Sequence, residues 1–291
     1  MTKVEFKIVA VLGAGTMGAG IAQVCAAAGS QVRLQDVTQD FVERGLARIN
    51  SFLDKGVLKG KVTQAQKETI LGNLKGTVDL NFAVKDADLV IEAVPEDLEM
   101  KRELFDLVAA MCGDKTVIAS NTSSLSLAEI FKDTKGKDRC LGMHFFNPPP
   151  LMPLLEIVRT EATGPGSVER VVTYAKQLGK EPIVVKDSPG FASSRLGVAL
   201  GLEAIRMVED GVAEPEDIDK AMVLGYGHPM GPLRVSDLVG LDVRMAIADY
   251  LHSRLASPAF IVPKLMRDMV AKGHLGKKTG QGFYTWIEKQ G

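Results

Sequence analysis

A glycine-rich segment near the start of the chain limits the folds that this sequence can adopt. Lys7–Leu12 is a short apolar run rich in β-branched residues, which predicts a strand buried on both faces. The run leads into Gly13-Ala14-Gly15-Thr16-Met17-Gly18, after which small residues predict a helix. Gln31–Gln35 predicts a second strand, which ends at Asp36. This order within about 30 residues is typical of a parallel strand–helix–strand unit.

The spacing of these residues also predicts a ligand. Gly13 permits a tight turn, Gly15 lets the backbone approach a pyrophosphate, and Gly18 allows the helix to pack closely on the strand. The helix N-terminus offers N–H groups to phosphates, and Asp36 is placed to accept hydrogen bonds from ribose hydroxyls. We therefore expect the unit to bind NAD; the alternative is a glycine-rich turn without a ligand. The carboxylate disfavours NADP, although Arg33 leaves a small opening for it.

The stretch Ile8–Val32 has no charged residue, which is also a property of signal sequences and membrane spans. Gly13, Gly15, Gly18 and Gly20 interrupt the stretch, and glycine at that frequency is unfavourable in a helix that crosses lipid. We therefore expect a soluble chain that has no membrane partner.

Charge and cysteine content exclude further classes of function. The net charge of −1 gives no basic field that would hold nucleic acid, so we expect no such partner. Cys25, Cys112 and Cys140 have neither a disulfide framework nor the spacing of zinc ligands. We therefore expect no metal, and a chain that resides in a reducing cytoplasm.

Strands and helices continue to alternate in the first half of the chain. Asp88–Val94 and Thr116–Ala119 predict buried strands, and Glu99–Ala110 between them predicts an amphipathic helix. Thr38 and Thr63 are predicted caps of two earlier helices, the second with a capping box. This repeated order predicts an α/β fold with a Rossmann-like, doubly wound, mostly parallel sheet.

A histidine and a glutamate in the middle of the chain form a candidate acid–base pair. Arg139–Phe146 predicts a strand that contains His144, and Leu154–Val158 predicts a strand that contains Glu156. The prolines of Asn147–Pro150 force a turn between them, which can bring the two side chains together. Histidine is the usual base for an alcohol proton, and a carboxylate behind it favours the imidazolium. The residues alone leave open a core histidine and a lone strand acid.

Seven segments spread over the chain carry a resemblance. They are GAGTMG (13–18), ASNTSSL (119–125), HFFNPPPLMPLLE (144–156), KDSPGF (186–191), GYGHPMGP (225–232), DLVGLD (237–242) and GKKTGQGFY (276–284). With these segments in this order, the sequence resembles the 3-hydroxyacyl-CoA dehydrogenase family, and in particular its bacterial 3-hydroxybutyryl-CoA dehydrogenases.

The resemblance implies an NAD-binding Rossmann-like domain over residues 1–188 and a helical substrate and dimerisation domain over residues 189–291. It implies that (3S)-3-hydroxyacyl-CoA and 3-ketoacyl-CoA are interconverted, with short chains expected. In that reaction His144 is the base, Glu156 pairs with it, and Ser123 hydrogen-bonds the 3-oxygen of the substrate. The residues that line the NAD site by resemblance are Asp36, Glu96, Lys101, Ser123, Asn147 and Lys278.

Several of these residues can also be explained without a ligand. Ser123 is of a type common in polar turns, Glu96 and Lys101 are spaced like an exposed pair on a helix, and Lys278 could be a charge on a flexible tail. Lys55, Lys59 and Lys61 cluster towards the end of a predicted helix, where lysines are usually only solvated. The alternative hypothesis is that one or two of them, with Lys55 and Lys59 as the candidates, bind the phosphates of a coenzyme A.

One position departs from the family. Members usually have an asparagine before the arginine that follows Pro-Gly-Phe, and it contributes to the catalytic site. Here Ser194 precedes Arg195. Serine offers a shorter side chain with fewer hydrogen bonds, so substrate orientation or acyl specificity is expected to differ.

The second half of the chain predicts helices. Phe191–Glu209 reads as a long apolar helix with Leu196, Leu200, Ala204 and Met207 on one stripe. Its surplus apolar surface is expected to lie in the interface of a homodimer. Two rival functions stay open: an NAD-dependent dehydrogenase of another small hydroxy acid or sugar acid, and a relative that binds NADH without catalysis.

Overall fold

The computed structural model of the chain describes residues 4–286, and the chain divides into two units at the Ser188–Pro189 bond. The domain ranges expected from the sequence include a few terminal residues that lie outside this described part. The strands of the first unit are β1 (Ile8–Leu12), β2 (Gln31–Gln35), β3 (Leu74–Thr77), β4 (Leu89–Glu92), β5 (Val117–Ser120), β6 (Cys140–Phe145), β7 (Leu154–Arg159) and β8 (Glu181–Lys186). Its helices are α1 (Thr16–Ala27), α2 (Gln39–Leu58), α3 (Gln64–Gly72), α4 (Leu80–Val84), α5 (Leu98–Met111), α6 (Leu127–Ile130) and α7 (Pro165–Gln177).

The strands of residues 4–188 form a single eight-stranded sheet in the order β3-β2-β1-β4-β5-β6-β7-β8. Within that described range β6 and β7 are antiparallel neighbours, and the other neighbours pair in parallel. The order β3-β2-β1-β4-β5-β6 is that of a doubly wound nucleotide-binding sheet. The predicted fold class is confirmed.

The sheet is central because its inner strands are apolar on both faces. Val9 and Leu89 point to one face, Ala10 and Val90 point to the other, and all four are fully buried. Helices that pack on the sheet complete the core of this unit. The capping box predicted at Thr63 is confirmed at the start of α3. None of the helices in residues 4–286 has both the length and the apolar character that a membrane crossing requires.

Helices dominate the second unit. They are α8 (Ser193–Glu209), α9 (Pro215–Tyr226), α10 (Pro232–Val239), α11 (Leu241–Leu255) and α12 (Lys264–Ala271). The apolar stripe predicted on α8 is wrong in part. Leu196 is 71% exposed, whereas Val198, Leu202 and Ile205 are buried against the other helices of this unit. The periodicity identified the helix, but the helix turns a neighbouring face to the core.

A buried aspartate holds the segment that follows α12. Asp237 lies in α10, is fully buried, and accepts hydrogen bonds from Phe283 N at 3.0 Å and Tyr284 N at 2.9 Å. The indole Nε1 of Trp286 donates to the same carboxylate at 2.9 Å. A Cβ added at Gly282 would lie 2.1 Å from Asp237 Oδ1, so only glycine fits beside it. The end of the GKKTGQGFY segment is therefore fastened to α10 by the buried side chain of Asp237.

We expect Asp237→Asn to destabilise the second unit by about 2 kcal/mol, because hydrogen bonds to a charged group contribute about 1.5–3 kcal/mol each. Urea denaturation followed by tryptophan fluorescence measures the change, since Trp286 is the sole tryptophan. Asp249→Asn is the matched control, because Asp249 pairs with Arg267 at an exposed site where a charge pair contributes below about 1 kcal/mol. Equal midpoints for the two variants would contradict the prediction.

Candidate active site

The turn after β1 has the shape that a bound pyrophosphate requires. Gly13 has a positive φ of 99°, and a Cβ there would lie 2.6 Å from Ala93 O. At Gly18 a Cβ would lie 1.7 Å from Gly13 O, so α1 packs against the turn at a distance that excludes any side chain. A Cβ at Gly15, by contrast, would meet no described atom within 4 Å. Two glycines are thus required by packing, and the third leaves the backbone accessible.

The start of α1 and the end of β2 meet beside this turn. Gly15 is the N-cap of α1, and within the described part of the chain no side chain caps this end, so its first N–H groups face outward. Asp36 Oδ2 accepts from Ala14 N at 2.7 Å, and its Oδ1 accepts from Val37 N at 2.7 Å. The carboxylate is therefore held in one orientation next to the turn. This arrangement fits a dinucleotide with a free 2′-hydroxyl.

Arg33, the residue that could have accepted the extra phosphate of NADP, already has partners within the protein. Its guanidinium forms an ion pair with Asp86 and donates to Phe82 O at 2.6 Å. The hydrogen bond from Arg33 lowers the pKa of the Asp86 carboxyl. A 2′-phosphate would have to compete with these partners.

We expect Asp36→Asn to weaken NADH binding about tenfold or more, because the loss of a charge-assisted hydrogen bond exceeds about 1.4 kcal/mol. The affinity for NADPH should fall less, since the variant lacks the repelling carboxylate. Fluorescence titrations with both nucleotides measure the ratio. Asp40→Asn, which alters an exposed ion pair with Arg44, serves as the control. An unchanged ratio of NADH to NADPH affinity would contradict this role of Asp36.

The antiparallel pair β6–β7 places the histidine and the glutamate opposite each other. His144 and Glu156 are partners in the strand register, and His144 Nδ1 lies 2.6 Å from Glu156 Oε2. The histidine is 6% exposed and the glutamate is fully buried. A carboxylate at Nδ1 favours a proton on that nitrogen and assigns proton exchange with a ligand to Nε2.

The proline turn between these strands is held from two sides. Pro149 packs on α1, where a Cβ at Gly20 would lie 2.7 Å from Pro149 Cδ. On the other side Lys180 Nζ donates to Pro149 O at 2.6 Å and to Met152 O at 2.7 Å. Burial lowers the pKa of Lys180. Asn147, which begins the turn with a cis peptide bond to Pro148, is exposed beside the first turns of α1.

The Asn121–Ser124 segment lies next to a group of charges that is only partly buried. Glu96 Oε1 accepts from Ser123 N at 3.1 Å, and Lys101 Nζ lies 3.3 Å from Glu96 Oε2. Lys101 is only 1% exposed, so the alternative of an exposed pair with Glu96 is wrong. Its second partner is Glu92, at 2.5 Å, which the sequence analysis missed. The available signal was an acid inside the apolar run of β4.

Lys55 and Lys59 lie at the rim of a cavity of about 610 Å³ in the first unit. The cavity is bounded by the ends of α1 and α2 and by Pro150 and Leu151 of the proline turn. Both lysines are exposed, so their ammonium groups are accessible to an anionic ligand above an apolar wall. This combination suits a ligand that carries phosphates and an aliphatic arm.

Two predicted site residues belong to the second unit. Ser194 lies in the first turn of α8 and is half-buried. Lys278 is exposed, with Nζ 2.6 Å from the Asp242 carboxylate, and this hydrogen bond lowers the pKa of Asp242. Lys278 is therefore held by a partner, unlike a charge on a flexible tail.

Comparison with known protein families gives two matches that together span almost the whole chain. Residues 8–188 match the NAD binding domain of 3-hydroxyacyl-CoA dehydrogenase, and residues 190–286 match the C-terminal domain of 3-hydroxyacyl-CoA dehydrogenase.

The chain is also similar to individual proteins over nearly its full length and nearly the full length of theirs. A 3-hydroxybutyryl-CoA dehydrogenase of Mycobacterium tuberculosis is 45% identical over 280 residues, which are 96% of this chain and 98% of that protein. One of Clostridioides difficile is 42% identical over 277 residues, 95% of this chain and 98% of that protein. The crystal structure of (S)-3-hydroxybutyryl-CoA dehydrogenase from Ralstonia eutropha has a TM-score of 0.93 at 41% identity, and covers 97% of this chain and 100% of that one.

Proposed function

The chain belongs to the 3-hydroxyacyl-CoA dehydrogenase family, and on that premise we propose that this NAD-dependent oxidoreductase interconverts short-chain (3S)-3-hydroxyacyl-CoA and 3-ketoacyl-CoA. The similar proteins named above act on 3-hydroxybutyryl-CoA, which supports a four-carbon acyl group. The observation that carries the proposal is the buried pair of His144 and Glu156, 2.6 Å apart on adjacent strands. That pair supplies the base that an alcohol oxidation needs.

The residues around the glycine turn would hold the cofactor. Gly13–Gly18 would receive the pyrophosphate at the start of α1, and Asp36 would accept hydrogen bonds from the hydroxyls of the adenosine ribose. Glu96, Lys101, Ser123 and Asn147 of the first unit would line the rest of the cofactor site. NAD supplies the acceptor for the hydride that leaves C3 of the substrate.

The proton moves through the acid–base pair. His144 Nε2 takes the proton of the 3-hydroxyl as C3 is oxidised, and Glu156 stabilises the imidazolium that results. In the reverse direction the imidazolium protonates the oxygen of the 3-ketoacyl group. Ser123 donates a hydrogen bond to the same oxygen and orients C3. Ser194 stands where the family has an asparagine, and its hydroxyl offers fewer hydrogen bonds from a shorter side chain than an amide does.

The coenzyme A portion lies against the cavity at the end of α2. Lys55 and Lys59 meet its phosphates, and the apolar wall accommodates the pantetheine arm. The chain works as a homodimer in the cytoplasm. Exposed apolar side chains of the second unit, including Leu196, Leu224 and Tyr226, support a partner surface there.

The deciding experiment is the loss of NADH absorbance when the purified protein meets acetoacetyl-CoA. Rapid oxidation that fails with acetoacetate and with NADPH supports the reaction, the cofactor and the substrate class together. NADH binding without turnover would favour another hydroxy acid or a non-catalytic relative.

The double variant Lys55→Ala/Lys59→Ala should raise KM for acetoacetyl-CoA about tenfold, since two charge pairs to phosphate are lost. KM for acetoacetyl-pantetheine, which has no phosphate, should stay the same.

We expect His144→Gln to lower kcat about 100-fold to 10,000-fold, the usual contribution of a general base. The affinity for NADH should stay within about twofold of the wild type, because the loss falls on proton transfer. Stopped-flow turnover and NADH fluorescence titration measure the two quantities separately. A variant that retains a tenth of the wild-type kcat would show that His144 is not the general base.

A further inference from the structure

The proline turn between β6 and β7 has few main-chain donors of its own. Pro148, Pro149 and Pro150 have no N–H group, so these three successive residues cannot tie the turn through their main chain. Leu151 N and Met152 N both donate to Pro148 O, at 2.9 and 3.2 Å. The carbonyl oxygens of Pro149 and Met152 accept from another part of the chain instead.

The donor to both carbonyl groups is the ammonium of Lys180. Its Nζ lies 2.6 Å from Pro149 O and 2.7 Å from Met152 O, and the residue is 6% exposed. Within residues 4–286 no carboxylate pairs with this ammonium, so its acceptors there are two neutral carbonyl groups. Burial lowers the pKa of Lys180. A buried cation without a counter-ion is costly, whereas an apolar side chain would fill the same space at a lower cost.

The main chain that carries Lys180 is fixed at the junction of α7 and β8. Gly179 follows α7 with a φ of 70°, and Lys180 N donates to Ala175 O at 2.9 Å. On the strand side, Glu181 N donates to Pro153 O at 2.8 Å, and β8 pairs with β7 over its whole length. The side chain of Lys180 therefore extends from a rigid part of the sheet to the turn, and it relates the position of the turn to that of the sheet.

The same turn forms one wall of the cavity of about 610 Å³. Pro150 and Leu151 line this cavity, and Leu151 is 67% exposed, which leaves its side chain available to the aliphatic part of a ligand. The other lining residues lie in or beside the helices α1, α2, α3 and α7. The turn is thus the wall that is not part of a helix, and its position depends on the contacts that tie it.

We propose that Lys180 is a positioning residue for substrate binding: its ammonium holds the proline turn so that Pro150 and Leu151 form a preformed wall for the pantetheine arm. A wall that is ordered before the ligand arrives spares the cost of ordering it on binding. The inference rests on the proposed function, which places coenzyme A in this cavity. It assigns to Lys180 a role in affinity and not in proton transfer, because His144 and Glu156 are aligned by the strand register.

The first test separates KM from kcat. Lys180→Met fills a similar volume with an unbranched side chain that has no N–H group. The turn should then leave its binding position for part of the time, and the apparent affinity falls to the fraction that stays competent. We expect KM for acetoacetyl-CoA to rise about tenfold, as for a turn that is in place about a tenth of the time. The value of kcat should stay within about threefold, and Kd for NADH within about twofold, since the loss is one of substrate binding.

A truncated substrate separates this effect from that of the exposed lysines. Because the wall contacts the arm and not the phosphates, Lys180→Met should raise KM by a similar factor for acetoacetyl-CoA and for acetoacetyl-pantetheine. The variant Lys55→Ala/Lys59→Ala should change only the first of these two values. Lys176→Met is the matched control, since Lys176 is an exposed lysine in the last turn of α7 and lies outside the cavity lining. It should leave both KM values unchanged.

Chemical rescue tests the hydrogen bonds themselves. Lys180→Ala lacks the part of the side chain that n-propylammonium supplies, and Lys180 borders the cavity through which this cation can enter. Added n-propylammonium should lower KM of the variant at least about threefold, because it restores the N–H donors to the two carbonyl groups. Tetramethylammonium has the charge but no N–H group, and it should have no such effect at equal ionic strength. Equal effects of the two cations would contradict the role of the hydrogen bonds.

Different outcomes overturn the inference and its premise. If the wild type turns over acetoacetyl-CoA and Lys180→Met has an unchanged KM, the inference alone is wrong. A rise in KM that is confined to acetoacetyl-CoA would assign Lys180 to the phosphates, and a tenfold rise in Kd for NADH would show that it supports the whole unit; either result overturns the inference. A wild-type protein that binds NADH but does not turn over acetoacetyl-CoA would overturn the proposed function itself.

Discussion

The close approach of α1 to the turn that precedes it determines where the rest of the site lies. A Cβ at Gly18 would come within 1.7 Å of Gly13 O, so the contact exists only because that position has no side chain. The same helix receives Pro149 at Gly20, and its N-terminus lies beside the carboxylate of Asp36. One helix therefore fixes both the glycine turn after β1 and the proline turn that follows His144. A shift of α1 would disturb the two together, which is why small residues are needed along its packed face.

A single reversal of strand direction brings His144 and Glu156 into contact. His144 and Glu156 are 12 residues apart, which is too few for the crossover helix that connects parallel strands. The prolines after Asn147 turn the chain back at once, and antiparallel pairing then places the two side chains opposite each other on the same face. Burial strengthens the contact, and it also makes the loss of either partner costly, because the remaining group would be buried alone.

A structural feature could be predicted from the sequence where it depends on residues that are neighbours along the chain. The turn after β1, the inner strands and the Thr63 cap depend on neighbours in sequence, and the sequence predicted them. β3 and β8 were missed because one contains Gly76 and the other contains Pro182, and both lie at the edges of the sheet, where an apolar run is not required. The burial of Lys101 also escaped prediction, since its partner Glu92 comes from another element and sits in an apolar run. Leu196 was misplaced because periodicity gives a helix but not the direction of its core.

Burial divides the lysines of the first unit into two groups that composition does not distinguish. With a net charge of −1, an anionic ligand must be met by local cations. Lys101 and Lys180 are buried, and their ammonium groups are occupied by carboxylates and by main-chain carbonyls. Lys55 and Lys59 are exposed at the rim of an apolar cavity. A buried ammonium whose hydrogen bonds are used by the fold has lost what makes it a phosphate ligand, so the number of lysines near a site overstates its capacity for anions. In this chain burial separates the cations that maintain the architecture from those that remain available to a ligand.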